Sequence, residues 1–138
     1  MLRSVLVVFA GLIVGMLMVT AIESMIPMVF ALPPLDPADP AAITAAMASL
    51  PAGVFVMLMC GWAFGALAGG LVSARLATHT SGRGPLGHAL AVGVVQTAGA
   101  IANFVMLPHP TWVIAAGLAL FVPMALLGGQ LGRRPDVV

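Results

Sequence analysis

Charge is what this sequence has least of. Five arginines and four acidic residues among 138 make 7% of the chain, where a soluble domain carries roughly 25%. A water-soluble fold of this size must cover a large surface, and so few charges cannot do that, so the apolar surface must face lipid. Net charge is +1 with no basic cluster before the last few residues, which argues against nucleic-acid binding. The single cysteine, Cys60, can close no internal disulfide and says nothing about redox compartment. A nucleophile elbow, a phosphate loop, a haem-type Cys-x-x-Cys-His and an HExxH pair are all missing. No acid, base and nucleophile are assembled, so an enzyme is not expected and no cofactor is implied.

What is present is apolar length. Hydrophobic residues are 62% of the chain, enough for one domain of membrane-spanning helices. Four stretches meet the requirement of about 20 apolar residues per crossing. They run from Ser4 to about Ile26, stopping at Pro27; from Gly53 to Ala74; from about Leu86 to Leu107; and from about Thr111 to Leu131. Only helices or closed barrels satisfy their backbone in lipid, and uninterrupted runs without strict alternation read as helices. The expected fold is an all-α integral membrane bundle of four transmembrane helices.

The arginines give an orientation. Arg3, Arg75, Arg83, Arg133 and Arg134 fall at the N-terminus, the second connection or the C-terminus. The first connection holds Asp36 and Asp39, and the third holds His109. The positive-inside rule then puts both termini and the 75–85 connection in the cytoplasm, and dual topology is not expected. Arg3, an apolar stretch and Val19-Thr20-Ala21 also fit a signal peptide with a small-residue cleavage site. The apolar run continues past Ala21, however, so the first span is expected to be retained.

Residues 27–52 form the one long connection, on the outer side. Its prolines make a stiff, extended run, and Asp39-Pro40 then reads as a helix start, with the aspartate as cap. The helix expected from Ala41 to about Leu50 repeats Ile43, Met47 and Leu50 on one face. That spacing suits a short helix on the outer membrane surface or over the bundle mouth. It would serve as a lid or docking element, or more plainly as a linker covering helix ends.

Small residues recur at helical spacing. Gly61, Gly65 and Gly69 repeat every four residues in the second span, as do Gly128 and Gly132 in the fourth and Gly11 and Gly15 in the first. Such stripes let helices approach closely, within the chain or between copies in a homo-oligomer or larger membrane complex. The segment 66–75 also resembles 125–134 at a constant offset of 59, with Ala, Leu, Gly, Gly and Arg matching. Two repeated hairpins related by an axis along the membrane normal would explain this. So would two helices that independently used small residues for packing and arginine for anchoring.

The polar residues within or beside spans are few. Glu23 ends the first span, and an intramembrane carboxylate points to a proton or cation site. Its place near the outer boundary also allows an interfacial role, such as pairing with His109. Gln96 and Asn103 lie seven apart on the third span, with Ala100 between them. They would bond neighbouring helices or line a polar pocket. His109 is locked between Pro108 and Pro110 at the outer turn, where a metal site with Glu23 and Asp36 or Asp39 is conceivable, although no ligand pair has helical or CxxC spacing. His79 and His88 are expected to be solvated or interfacial. Trp62 reads as core packing and Trp112 as an outer interfacial anchor, and Pro123 should bend the fourth helix.

Several of these features together resemble a widespread group of uncharacterised small bacterial four-helix membrane proteins. The likeness covers most of the chain. It rests on Glu23, Pro33-Pro34 with Asp36 and Asp39, Leu50-Pro51, the run from Gly65 to Gly70, and Pro108-His109-Pro110-x-Trp112. It implies the same topology in a bacterial inner membrane and brings no activity with it. A four-helix chain with a glutamate in its first span is also superficially similar to small multidrug exporters. It departs from them in the outward position of Glu23, the one-sided arginines and the long outer loop. Two functions follow. The leading one is a non-enzymatic accessory or structural subunit; the alternative is a small proton- or cation-coupled transporter using Glu23, with Gln96 and Asn103 along its path. A sensor binding metal at His109 is a weaker third.

Overall fold

A computed structural model describes residues 2–33, 38–77 and 84–133. Pro34, Asp36, His79, Arg83 and Arg134, to which expectations were attached above, lie outside the described residues. The described residues form six helices: α1 Leu2–Glu23, α2 Ile26–Val29, α3 Pro40–Ser49, α4 Ala52–Ala77, α5 Pro85–Met106 and α6 Thr111–Gly132. Four segments are long and apolar enough to cross a membrane, the first being α1 and α2 together as Leu2–Val29. Among the described residues there is no strand.

Two boundaries differ from expectation for physical reasons. Pro27 does not stop the first span; it sits in the first turn of α2, and the regular helix has already broken at Ser24 and Met25. Proline has no N–H for the carbonyl four residues back, and its ring crowds that carbonyl. The carbonyl concerned belongs to Glu23, so the effect of Pro27 falls one turn upstream of itself. The chain crosses the break with tighter bonds, Met25 N–H to the Ile22 carbonyl (3.0 Å) and Met28 N–H to the Met25 carbonyl (3.1 Å). In α4 the helix runs past Arg75 to Ala77. A long arginine can lift its charge to the interface from within a last turn, so the charge does not mark the helix end.

The start of α3 follows its local signal. The Asp39 carboxylate accepts the Ala41 N–H at 2.8 Å, with Pro40 in the first turn. Ala46 is buried beneath α3, and Met47 and Leu50 rest on the bundle's core. The helix therefore lies over the bundle mouth and touches it through side chains, without close backbone approach.

Glycine sets how the long helices meet. A Cβ on Gly15 would lie 2.8 Å from the Gly65 carbonyl oxygen, and one on Gly65 would lie 2.8 Å from that of Gly15. Gly11 and Gly69 repeat the exchange at 2.6 and 2.7 Å, so α1 and α4 run antiparallel with their backbones in contact. Gly61 faces Ile22 and Val19 at the end of the same seam. On another side of α4, Gly70 abuts the Ala125 backbone, Gly128 abuts that of Leu67, and Gly132 that of Leu71, so α4 and α6 run parallel. Gly93 and Gly129 bring α5 against α6. The core gathers where these seams meet, around Phe55, Trp62, Ala66, Ala100, Val113, Phe121 and Ala125.

Helix α4 is the hub; α1 meets α5 over a shorter stretch than it meets α4, and barely reaches α6. Only 17% of the first span is buried against 44% of the second, so α1 leans on α4 and leaves its other sides to lipid. Leu2, Phe9, Met16, Leu17, Val105 and Met106 are all more than half exposed, as lipid-facing side chains should be. The starts of α1 and α5 and the ends of α4 and α6 share one end of the bundle, which we call the arginine end. The helix break, α3 and the 107–110 turn share the opposite end.

The glycines also bear on the repeat. An offset of 59 lays Gly69 on Gly128 and Gly70 on Gly129. Gly69 faces α1 of its own hairpin and Gly70 faces the other hairpin, whereas Gly128 faces the other hairpin and Gly129 faces α5 of its own. Each pair does the same two jobs in opposite order, so a simple rotation at that offset does not superpose the contacts.

Candidate functional site

Glu23 is the last residue of α1 and stands at the helix break. Its side chain turns inward. The Trp62 indole N–H, on a ring only 6% exposed, is within hydrogen-bonding reach of the Glu23 carboxylate. A buried indole needs an acceptor that lipid cannot supply, and the carboxylate provides one. Trp62 therefore does more than pack, and Glu23 stands partly buried beside it.

His109 comes to the same place from the other side. The 107–110 turn is set by its prolines, and the imidazole folds in among Phe104, Trp62 and Phe55, at centroid distances of 5.1, 6.2 and 6.3 Å. Its Nδ1 lies 2.9 Å from the Leu107 carbonyl oxygen. A carbonyl only accepts, so Nδ1 carries the hydrogen. Trp112, 46% exposed at the start of α6, meets the far edge of Phe55, which fits the expected interfacial anchor.

Glu23, Asn103 and His109 line one cavity of about 430 Å³ at this end, with Met47 and Leu50 of α3 and Leu32 and Pro33 of the long connection. The structure thus brings three of the four expected polar residues together. Gln96 is not in this cavity. It lines a second and larger space of about 670 Å³ between α1 and α5, backed by Trp62 and Phe121, which Asn103 also lines. A third space of about 250 Å³ continues toward the arginine end. It shares Phe9 and Leu12 with the second and contains His88 and Ser4. The three lie end to end along the seam where α1 and α5 separate.

One stripe of α5 supplies the polar groups of that seam. His88 is 2% exposed, not solvated as expected, because the start of α5 is buried against its neighbours. Its Nδ1 is 3.4 Å from the Gly84 carbonyl oxygen and its Nε2 has no partner. The Gln96 carboxamide oxygen is likewise buried and unpartnered, while its nitrogen lies over Gly15, 2.6 Å from where a Cβ would stand. The hydroxyls nearby differ: Ser73 donates to the Gly70 carbonyl (2.9 Å) and Thr97 to that of Gly93 (2.8 Å), leaving both satisfied within their own helices. An unpaired buried polar atom costs about 1–3 kcal/mol. Among the described side chains there are two such atoms, and both are in residues that line the seam.

The chain matches no family model, no curated protein and no solved structure. The chemistry of the site must therefore be read from its own residues. Among the described residues no three His, Cys, Asp or Glu side chains gather as metal ligands, and Asp39 is engaged as the α3 cap. What the arrangement can do is hold or pass a proton or a cationic group. A carboxylate and an imidazole stand at one end, a buried imidazole near the other, and two carboxamides lie between. Sequence reasoning missed Trp62 and His88. Trp62 was signalled by an N–H at mid-span with no sequence neighbour to receive it. His88 was hidden because its i+4 and i+8 positions, Val92 and Gln96, become a buried stripe only once α1 is laid beside them.

Proposed function

We propose that this chain is a small proton- or cation-coupled transporter whose route is the α1–α5 seam and whose coupling group is Glu23. The observation that supports it is the end-to-end run of three cavities, with titratable side chains at both ends and unpartnered polar atoms along it. Glu23 sits where a helix is broken and lines the outer cavity, and broken helices commonly build ion sites in membrane transporters. Asn103 stands at the junction between the outer cavity and the seam, and Gln96 and His88 continue the path. The protein would work without enzymatic chemistry. Its arginine end would face the cytoplasm of a bacterial inner membrane, as the one-sided arginines suggest. With Cys60 replaced by Ala, a Thr44→Cys variant should then react with an impermeant maleimide on intact cells, and an Arg133→Cys variant only after permeabilisation.

Purified protein in liposomes with an imposed pH gradient tests the transport reading. Wild type should dissipate the gradient, and Glu23→Gln should fall to the protein-free rate while keeping its elution volume on size exclusion. An accessory subunit would show no flux in either form. Absence of wild-type flux, or full flux in Glu23→Gln, overturns the reading.

A further inference from the structure

The middle cavity is the largest of the three. Its walls are Ile13, Met16 and Leu17 on one side and Val95 and Gly99 on the other, and all five are exposed at the surface that spans the membrane. It is therefore a groove open sideways to lipid, apolar apart from Gln96 and Asn103, and floored by Trp62 and Phe121. Asn103 closes one end, and beyond Asn103 lies the cavity of Glu23 and His109.

The two spaces have complementary chemistry. The groove offers room for a hydrocarbon chain, while the adjoining cavity is lined by the Glu23 carboxylate and by the Asn103 and His109 side chains. Neither lysine nor arginine is among the described residues lining it. Such a cavity favours a head that donates hydrogen bonds or carries positive charge, and it disfavours a phosphate or carboxylate. From this juxtaposition we infer that the α1–α5 groove binds a single-chain amphiphile taken from the bilayer, its chain between the helices and a cationic, amine-type head beside Glu23 and Asn103. The inference names the cargo of the proposed transporter and rests on that reading for transport; binding is measured without it.

Gly99 provides the means to close the groove. A Cβ there would meet nothing within 4 Å, so a side chain can be added at this wall of the groove without its first atom touching packed neighbours. Trp62 provides the reporter, since there are two tryptophans and a Trp112→Phe variant leaves it alone. The measurement is quenching of Trp62 fluorescence in lipid nanodiscs by dibromo-octadecylamine and, separately, by dibromostearic acid. The amine should quench saturably, and the acid should need about tenfold more for the same effect. Gly99→Phe should abolish the saturable component for both. Glu23→Gln, a second variant that leaves helix packing alone, should remove the preference for the amine while the chain still quenches. Equal quenching by amine and acid in the wild type overturns the inference, as does unchanged quenching in Gly99→Phe or an undiminished amine preference in Glu23→Gln. Proton flux without head discrimination overturns the cargo and leaves transport standing. Discrimination without flux does the reverse.

Discussion

Gly70 and Gly99 are both glycines of membrane-spanning helices, and their surroundings are opposite. A Cβ on Gly70 would enter the Ala125 backbone and one on Gly128 that of Leu67, and backbone cannot turn aside as a flexible side chain can. Gly70→Ala and Gly128→Ala should each destabilise the protein by about 1–3 kcal/mol, the usual cost of overpacking. Gly99→Ala should be neutral or slightly stabilising, since alanine is the better helix former by roughly 1 kcal/mol. Thermal unfolding in detergent separates these outcomes; equal effects at Gly70 and Gly99 would contradict the packing described. The four-residue spacing made Gly61, Gly65 and Gly69 legible as a contact face. It could not distinguish Gly70 from Gly99, because spacing shows which residues share a face and not which faces are covered.

At the scale of elements, the local signals were readable and the displaced ones were not. Asp39 caps α3 through an N–H two residues away, so the instruction and its effect are adjacent. Pro27 acts on the Glu23 carbonyl four residues back, and only the helix geometry reveals that the break falls beside the one carboxylate attached to a span. Pro27→Ala should restore that backbone bond and join α1 to α2 as one helix. Amides 24–28 should then exchange with deuterium more slowly, and proton flux should fall because Glu23 is turned away from the cavity. Slower exchange with undiminished flux would show that the break has no part in transport. The placement of α3 likewise needed the structure: the spacing of Ile43, Met47 and Leu50 allowed a helix on the membrane surface or over the mouth, and Met47 and Leu50 lie against the cavity.

For the whole molecule, the four spans follow from hydropathy alone, because lipid demands long apolar helices wherever the chain crosses it. Their arrangement does not. Lipid tails are as apolar as leucine, so a side chain that faces a helix and one that faces the bilayer can be the same residue. Val92 is fully buried and Val94, two residues on, is 53% exposed, and composition gives no reason for the difference. For the same reason Gln96 and Asn103 were visible as a stripe, but their place on an open seam with His88 was not. That seam is where the least buried helix leaves the bundle unsealed. Filling it from Gly99 tests its role most directly. In liposomes, Gly99→Phe should abolish the pH-driven flux while Val105→Leu, on the exposed lipid face, keeps the wild-type rate; full flux through Gly99→Phe would contradict a route along α1 and α5.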